Sequence, residues 1–111
     1  MEISWRDFEK VEMRVGTIIE VTDFPEARKP AYKLKIDFGK EIGFRKTSAQ
    51  ITKRYTAKSL VGKQIIAVIN FPDKQIANFM SECLVLGVVG DHNDITLIQP
   101  GMEVENGQKI G

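Results

Sequence analysis

The stretch that decides the fold is KLKIDFGKEIGFRKTSAQITKRY, residues 33–55. Polar and apolar residues alternate over 33–38, which predicts a strand that buries one face, formed by Leu34, Ile36 and Phe38. A turn at 39–40 and renewed alternation over 42–44 predict a second strand, antiparallel to the first. The stretch therefore begins as a β-hairpin with one side in the core.

The second half of the stretch has the pattern of a helix start. Thr47 and Gln50 have the spacing of a capping box, which predicts a helix from Ser48 to about Tyr55 with Ile51 on its buried side. The preceding basic pair is expected where the second strand leaves the sheet. Four cations would then lie at one end of the hairpin, namely Arg45, Lys46, Lys53 and Arg54.

Length and composition predict one domain over residues 1–111. Hydrophobic residues make up 42% and charged residues 28%, which is ordinary for a globular domain, and no apolar run approaches the roughly 20 residues of a membrane span. The N-terminus lacks the pattern of a signal peptide, so a cytoplasmic protein is expected. Cys83, the only cysteine, lies in an apolar strand-like run and is expected to be a buried, inert thiol.

The net charge of +1 hides an uneven distribution of charge. Residues 28–63 contain eleven Lys or Arg against two acids, a balance of +9, whereas residues 1–27 and 64–111 each carry −4. Asymmetry of this size favours a polyanionic partner on one side of the molecule. The alternative is a solvated lysine-rich surface with no ligand.

The remaining segments extend the β pattern in both directions. Residues 4–11 predict a short capped helix, and residues 13–21 predict a first strand whose alternation is broken at Gly16 by a bulge or kink. A stiff loop with two prolines follows. Apolar runs at 64–70 and 83–89 predict strands covered on both faces, by the C-terminal segment or by a second subunit. A long loop joins these runs, and the last predicted strands are 95–98 and 108–110.

This order predicts an all-β protein with an OB-fold. The fold is a five-stranded Greek-key barrel, here with a short helix between strands 3 and 4, a short N-terminal helix and a C-terminal β extension. Strands two and three of such a barrel, with their loops, form a face that binds oligonucleotides. That face would carry Lys33, Lys35, Arg45 and Lys46.

No pattern in the sequence indicates catalysis or a cofactor. The chain has no Gly-rich phosphate loop and no Cys or His pair with zinc spacing. His92, the only histidine, lies between acids in the turn 90–94, and this pattern is more typical of a turn than of a metal site. The sequence therefore predicts no enzyme and no metal.

Six segments resemble the tRNA-binding domain that occurs in some methionyl- and phenylalanyl-tRNA synthetases and as free-standing proteins. They are DFEK, RVGTI, AYKLKIDFG, LVGK, NF and SECLVL, which begin at residues 7, 14, 31, 60, 70 and 81. Within that family, FPEARKPA at 24–31 and TSAQITKRY at 47–55 are most similar to the CsaA group of bacterial and archaeal proteins. These proteins are described as export-related chaperones.

The resemblance implies a non-catalytic OB-fold homodimer with one of two ligands. The first hypothesis is a chaperone that binds unfolded precursor proteins and assists the secretion machinery. The alternative is a protein that binds the outer corner of tRNA through a basic barrel face. Phe79 and Met80, which look exposed, would suit a chaperone, but they are equally compatible with core or dimer contacts.

The candidate binding residues are basic side chains and short polar side chains beside them. Ser48, Gln50, Asn70 and Ser81 could donate hydrogen bonds to phosphate, ribose or peptide, although Ser48 and Asn70 could equally have only structural roles. The full candidate set for RNA or peptide binding is Arg28, Lys29, Lys33, Arg45, Lys46, Ser48, Gln50, Lys53, Arg54, Asn70, Lys74, Phe79 and Ser81.

Overall fold

The computed structural model describes all residues, 1–111. The chain forms two short helices, nine strands and one 3₁₀ turn, and none of the helices is long and apolar enough to cross a membrane. In chain order the elements are α1 (Trp5–Glu9), β1 (Met13–Asp23), β2 (Tyr32–Asp37), β3 (Phe44–Ala49), α2 (Ala57–Leu60), β4 (Gln64–Val68), β5 (Lys74–Ile76), β6 (Phe79–Ser81), β7 (Leu84–Val85), β8 (Gly87–Val89), the 3₁₀ turn (Asp91–Asn93) and β9 (Ile95–Leu97).

Five strands form an antiparallel sheet in the order β3-β2-β1-β4-β7. The sheet curls until its two edges approach each other, where the amide of Glu82 donates to the carbonyl of Lys46 at 2.8 Å. The result is a nearly closed five-stranded barrel with a helix between its third and fourth strands. The predicted OB-fold is therefore confirmed.

The core follows the alternation that the sequence shows in β2. Leu34, Ile36 and Phe38 are each no more than 1% exposed, as predicted. They pack with inward residues of the other barrel strands. They also contact Ile51, which precedes α2, and Leu60, which ends α2. Burial of these apolar side chains supplies most of the driving force for folding.

The bulge in β1 lies at Ile19, three residues later than predicted. The register with β2 shifts between Ile18 and Glu20, so the bulge is there and not at Gly16. Gly16 has a different role, because a Cβ atom at this position would lie 2.6 Å from Cγ2 of Ile36 and 2.8 Å from the Phe38 ring. The glycine lets two core side chains approach the backbone of β1.

The predicted helix over 48–55 is wrong, although a helix does follow β3. Strand β3 continues to Ala49, and the capped helix begins after Thr56, whose hydroxyl accepts from the amide of Ser59. Thr47 does not cap a helix. Its buried hydroxyl donates to the carbonyl of Cys83 at 2.7 Å and so helps to close the barrel.

The N-terminal helix is confirmed. Ser4 and Asp7 exchange two backbone-to-side-chain hydrogen bonds of 3.1 Å, which is the predicted capping box. The side-chain amide of Asn70 fastens the end of this helix to β4. It accepts from the amide of Glu12 and donates to the carbonyl of Lys10.

The C-terminal segment lies along β1 without forming the predicted strand 108–110. It makes a single bridge, between Arg14 and Lys109. The Gln64 side chain holds the segment in place, because its amide both donates to the carbonyl of Val104 and accepts from its N–H, at 2.6 and 3.1 Å. Three main-chain hydrogen bonds also join the segment to β1, two at Val15 with Gly107 and Gln108 and one between Ile110 and Met13, so side chains and main chain together fix the extension.

The two apolar runs differ in how well the chain covers them. In β4 the outward Ile66 and Val68 are buried, as predicted. In the run 83–89, however, Leu84, Val88 and Val89 are exposed, the last two by 60% and 74%. The C-terminal segment therefore does not cover these side chains of the second run, contrary to the first of the two predicted alternatives.

Candidate nucleic-acid interface

Three lysines share the outer face of β2 and β3, and we call this surface the lysine face. Lys33 and Lys35 alternate with the buried residues of β2, and Lys46 alternates with the buried Thr47 of β3. The register places Lys35 directly opposite Lys46. Like charges at opposite positions of two strands destabilise a sheet. On its other side Lys35 faces Glu20 of β1, and this opposite charge offsets part of that cost although the two side chains form no ion pair.

Each of these lysines lies on an aromatic ring. Lys33 Nζ is 4.9 Å from the ring centre of Phe24 and 5.4 Å from that of Phe79. Lys46 Nζ lies 5.1 Å from the same Phe79 ring, and Lys35 Nζ is 4.8 Å from that of Phe44. A cation over a ring face gains roughly 0.5–1 kcal/mol at an exposed site. The rings hold the ammonium groups in place without neutralising them.

Two of the rings come from segments far apart in the sequence. Phe24 is buried in the loop after β1, and Phe79 begins β6, in the hairpin that crosses the end of β3. Their centres are 5.5 Å apart in an edge contact at 62°. This pair ties the loop and the hairpin together over β2 and β3. Phe79 also lines a groove on the lysine face.

The groove has a volume of about 320 Å³ and runs along the lysine face. Glu20 and Glu82 lie at its margin with the three lysines, Phe44 and Phe79. Neither acid forms an ion pair with the face, because the structure has only three ion pairs and none includes a lysine of this face. Instead, Glu82 accepts from the main-chain amide of Lys46 at 2.9 Å.

Arg28, Lys29 and Lys74 are exposed cations on the neighbouring segments. The first two follow Phe24 in the loop that the Phe24–Phe79 contact holds against the barrel, and Lys74 begins β5. None of them takes part in an ion pair. They could extend the positive surface beyond the groove.

Arg45 does not belong to the lysine face. It was expected where the strand leaves the sheet, but β3 continues through it, and its register partner is the buried Ile36. Its Nη1 donates to the carbonyl of Ile69 at 2.7 Å. The guanidinium is half-buried there, so it satisfies main-chain groups at the closure of the barrel.

Lys53 and Arg54 contact a different part of the chain. Arg54 donates two hydrogen bonds to the carboxylate of Asp94, at 2.7 and 2.9 Å, and Lys53 donates to the carbonyl of His92. The hydrogen bonds with Asp94 raise the pKa of Arg54, and those with Arg54 lower the pKa of the Asp94 carboxyl. The four cations predicted at one end of the hairpin therefore do not form one surface. Lys53 and Arg54 instead hold the segment after β3 against the turn before β9.

The short polar candidates lie mainly at the closure of the barrel. Ser81 is buried, and its hydroxyl accepts from the amide of Ser48 at 3.1 Å and lies 3.3 Å from the Ser48 hydroxyl. Asn70 holds the N-terminal helix, as described above. Gln50 is exposed just after β3 and makes no side-chain hydrogen bond, so it is the polar candidate most available to a ligand.

A second groove, with a volume of about 530 Å³, lies between the β5–β6 hairpin and β7. Its apolar lining includes Phe71, Pro72, Ile76 and Leu84, and Ser48 and Ser81 lie at its polar side. Cys83 also lines it, but burial raises the pKa of this thiol to about 12, so the thiol stays protonated and unreactive. We call this site the apolar groove.

Two aromatic residues of these grooves, Phe44 and Phe71, are not among the sequence-based candidates, and neither is Phe24, which packs on Phe79. Lys35 was assigned to the binding face but was likewise not among the chosen site residues. One signal was available for part of this set, because aromatic residues alternate with the lysines along the chain from Phe24 to Phe79. Interleaving of basic and aromatic residues is typical of surfaces that bind single-stranded nucleic acid.

The family model of the tRNA binding domain matches residues 13–109. The methionine–tRNA ligase of Pyrococcus horikoshii is 36% identical over 108 residues, which are 97% of this chain but 14% of the ligase. The chain thus spans only a small part of the length of the tRNA ligases that it matches.

Two solved structures are similar over the full length of the chain. The chaperone CsaA from Bacillus anthracis is 50% identical with a TM-score of 0.95, and covers 100% of both chains. The CsaA chaperone protein from Picrophilus torridus is 54% identical with a TM-score of 0.93, over 99% of this chain and 100% of the other. With the family model matching nearly the whole sequence, this chain belongs to the tRNA-binding domain family.

Proposed function

We propose that this protein is a non-catalytic RNA-binding protein that docks on the outer corner of tRNA through the lysine face. One observation carries the proposal. Lys33, Lys35 and Lys46 lie together on the outer face of β2 and β3, on aromatic rings and outside any ion pair. Family membership supports the same ligand, since the family is one of tRNA-binding domains.

The energetics of the lysine face favour a polyanion over a neutral partner. The repulsion between Lys35 and Lys46 is relieved when phosphates approach both ammonium groups. The phosphates also release condensed counterions, which gives RNA binding its salt dependence. Arg28 and Lys29 lie on the loop held beside the face, so five cations can take part.

A salt titration with tRNA tests this function. If the five cations each meet a phosphate, the logarithm of the association constant should fall with the logarithm of salt concentration by about four units per decade. Binding is measured by fluorescence anisotropy over about 50 to 200 mM salt. A flat curve, or no binding at low salt, would overturn the proposal.

The apolar groove supports a second function, the binding of unfolded polypeptides. Phe71 and Leu84 line this groove as exposed apolar side chains, and Met80 is exposed on β6 of the adjacent hairpin. The two similar solved structures are both structures of chaperones. In the same titration, an unfolded polypeptide held by apolar contacts should show little loss of affinity with salt. A steep loss would show that the lysine face holds the polypeptide instead.

A homodimer is the third element of the proposal. Val88 and Val89 are exposed on β8, whose outer edge has no strand partner, and exposed apolar edges of this kind associate. A second subunit over this edge would also supply the cover that the run 83–89 lacks. The resemblance of the sequence to the CsaA group supports the same assembly.

Substituting Val88→Lys is expected to convert the dimer to a monomer, because an unpaired ammonium would be buried in the interface. Sedimentation equilibrium measures the mass of both forms. Val61→Lys is the matched control, since Val61 is similarly exposed but follows α2, away from the β8 edge. A monomeric wild-type chain at all concentrations would contradict the dimer.

Within this proposal the cellular setting follows the chaperone relatives. The resemblance to the CsaA group favours unfolded precursor proteins and the secretion machinery as partners, with the cytoplasm as the compartment. RNA and precursor would then use separate surfaces, because the lysine face and the apolar groove are lined by different residues.

A further inference from the structure

We propose that the lysine face binds an unpaired nucleotide, whose base stacks on Phe44 while its phosphates meet Lys35 and Lys46. This inference rests on the proposed RNA-binding function and specifies which part of the RNA is bound. It assigns a ligand contact to an aromatic side chain that the fold itself leaves uncovered.

Phe44 contributes little to the folded state through burial. Its side chain is 61% exposed, although it lies on a strand of the barrel opposite Asp37. It is not part of the hydrophobic core, and it has no aromatic partner. Phe24 and Phe79, by contrast, pack on each other and fasten two segments together. Of the three rings on this face, that of Phe44 is the most exposed to a ligand, since Phe24 is buried and Phe79 is half-buried.

The surroundings of Phe44 favour a nucleotide as that ligand. Lys35 Nζ lies 4.8 Å from the ring centre and covers one side of the ring, so the exposed fraction belongs mostly to the other side. Lys46 is two residues further along β3 on the same face, at roughly 7 Å along the strand. A flat base on the ring would therefore place its own phosphates beside two cations that form no ion pair within the chain.

The geometry selects unpaired over paired nucleotides. In a duplex the base faces are stacked inside the helix, and a protein reaches only phosphates, sugars and base edges. The Phe44 ring can contact the face of a base only where that base is turned out of a helix. Stacking on aromatic side chains is the common way in which OB-folds hold single strands. The loops and the 3′ end of tRNA offer such bases.

The test compares single-stranded and duplex RNA on variants of one ring. Anisotropy is measured with an oligoadenylate of about eight nucleotides, the same strand without bases, and a blunt duplex of equal length. Phe44→Ala is expected to weaken oligoadenylate binding by roughly tenfold or more and to leave duplex binding within about twofold. Phe44→Tyr retains the ring and should retain the affinity. The wild-type protein should bind the strand without bases about as weakly as Phe44→Ala binds oligoadenylate.

Trp5→Ala is the matched control, because Trp5 is similarly exposed, by 69%, but lies on α1 outside both grooves and has no lysine over its ring. It should leave the binding of every RNA unchanged. If Phe44→Ala leaves oligoadenylate binding intact, or weakens single-stranded and duplex binding equally, the stacking inference is overturned. The RNA-binding function would still stand if tRNA binding remains steeply salt-dependent. If the wild-type chain binds no RNA at all, the function itself fails, and loss of polypeptide binding in Phe44→Ala would assign the ring to that ligand.

Discussion

Replacing Lys33, Lys35 and Lys46 together with methionine is expected to lower the affinity for tRNA by roughly 500-fold at about 0.1 M salt. Each phosphate contact releases close to one counterion, which at that salt concentration contributes slightly less than tenfold to the association constant. The salt dependence should fall by close to three units per decade at the same time. The measurement is the salt titration described above, repeated on the triple variant.

Methionine is the informative replacement because it removes the charge and keeps the apolar stem. Lysine stems cover the rings of Phe24, Phe44 and Phe79, and a methionine side chain can take over that contact. The variant loses weak cation–π contacts but also loses the repulsion between Lys35 and Lys46. Its stability toward urea should therefore stay close to that of the wild type, so lost affinity reports on binding.

The control for total charge is a second triple variant, in which Lys40, Lys58 and Lys109 become methionine. These lysines are exposed, take part in no ion pair and lie on the β2–β3 turn, on α2 and in the C-terminal segment. Their loss should change the salt dependence by less than about one unit per decade. Equal losses of tRNA affinity in the two triple variants would mean that RNA binding depends on net charge and not on the lysine face.

The strands of the barrel could be predicted because their alternation is a local property of the sequence. The helix after β3 could not be placed, because two competing structures are available to residues 47–50. Thr47 has the spacing of a helix cap, but in the folded chain its hydroxyl bonds to Cys83, which is 36 residues away. Pairing with β2 and this closing bond outweigh the local capping preference.

The lysine face was predicted in part, and the missing part depends on strand register. Arg45 and Lys46 are neighbours in sequence, but a strand sends adjacent side chains to opposite faces. Only the continuation of β3 to Ala49 decides that Arg45 points inward and Lys46 outward. The contact between Phe24 and Phe79 joins residues 55 positions apart, and no local pattern encodes it.

Replacing Gly16 with alanine is expected to lower the free energy of unfolding by about 1–3 kcal/mol. The new Cβ atom would lie 2.6 Å from Ile36 Cγ2 and 2.8 Å from the Phe38 ring, and both residues are fully buried. Neither side chain can move away without disturbing the rest of the core. Urea denaturation followed by circular dichroism measures the change, and Gly16→Val should be more damaging still. Gly101→Ala is the control, because a Cβ at that position meets nothing within 4 Å.

A double-mutant cycle with Ile36→Ala separates close packing from a backbone role of Gly16. If Gly16 were needed for a bulge, as its place in the sequence indicates, the cost of Gly16→Ala would be the same whether residue 36 is isoleucine or alanine. The structure places the register shift between Ile18 and Glu20 and gives Gly16 no left-handed backbone angle. The two substitutions should therefore be coupled, with Gly16→Ala costing at least about 1 kcal/mol less when Ile36 has been shortened. Additive costs would favour the backbone role of Gly16. They would also show that the close approach to Ile36 contributes nothing to stability.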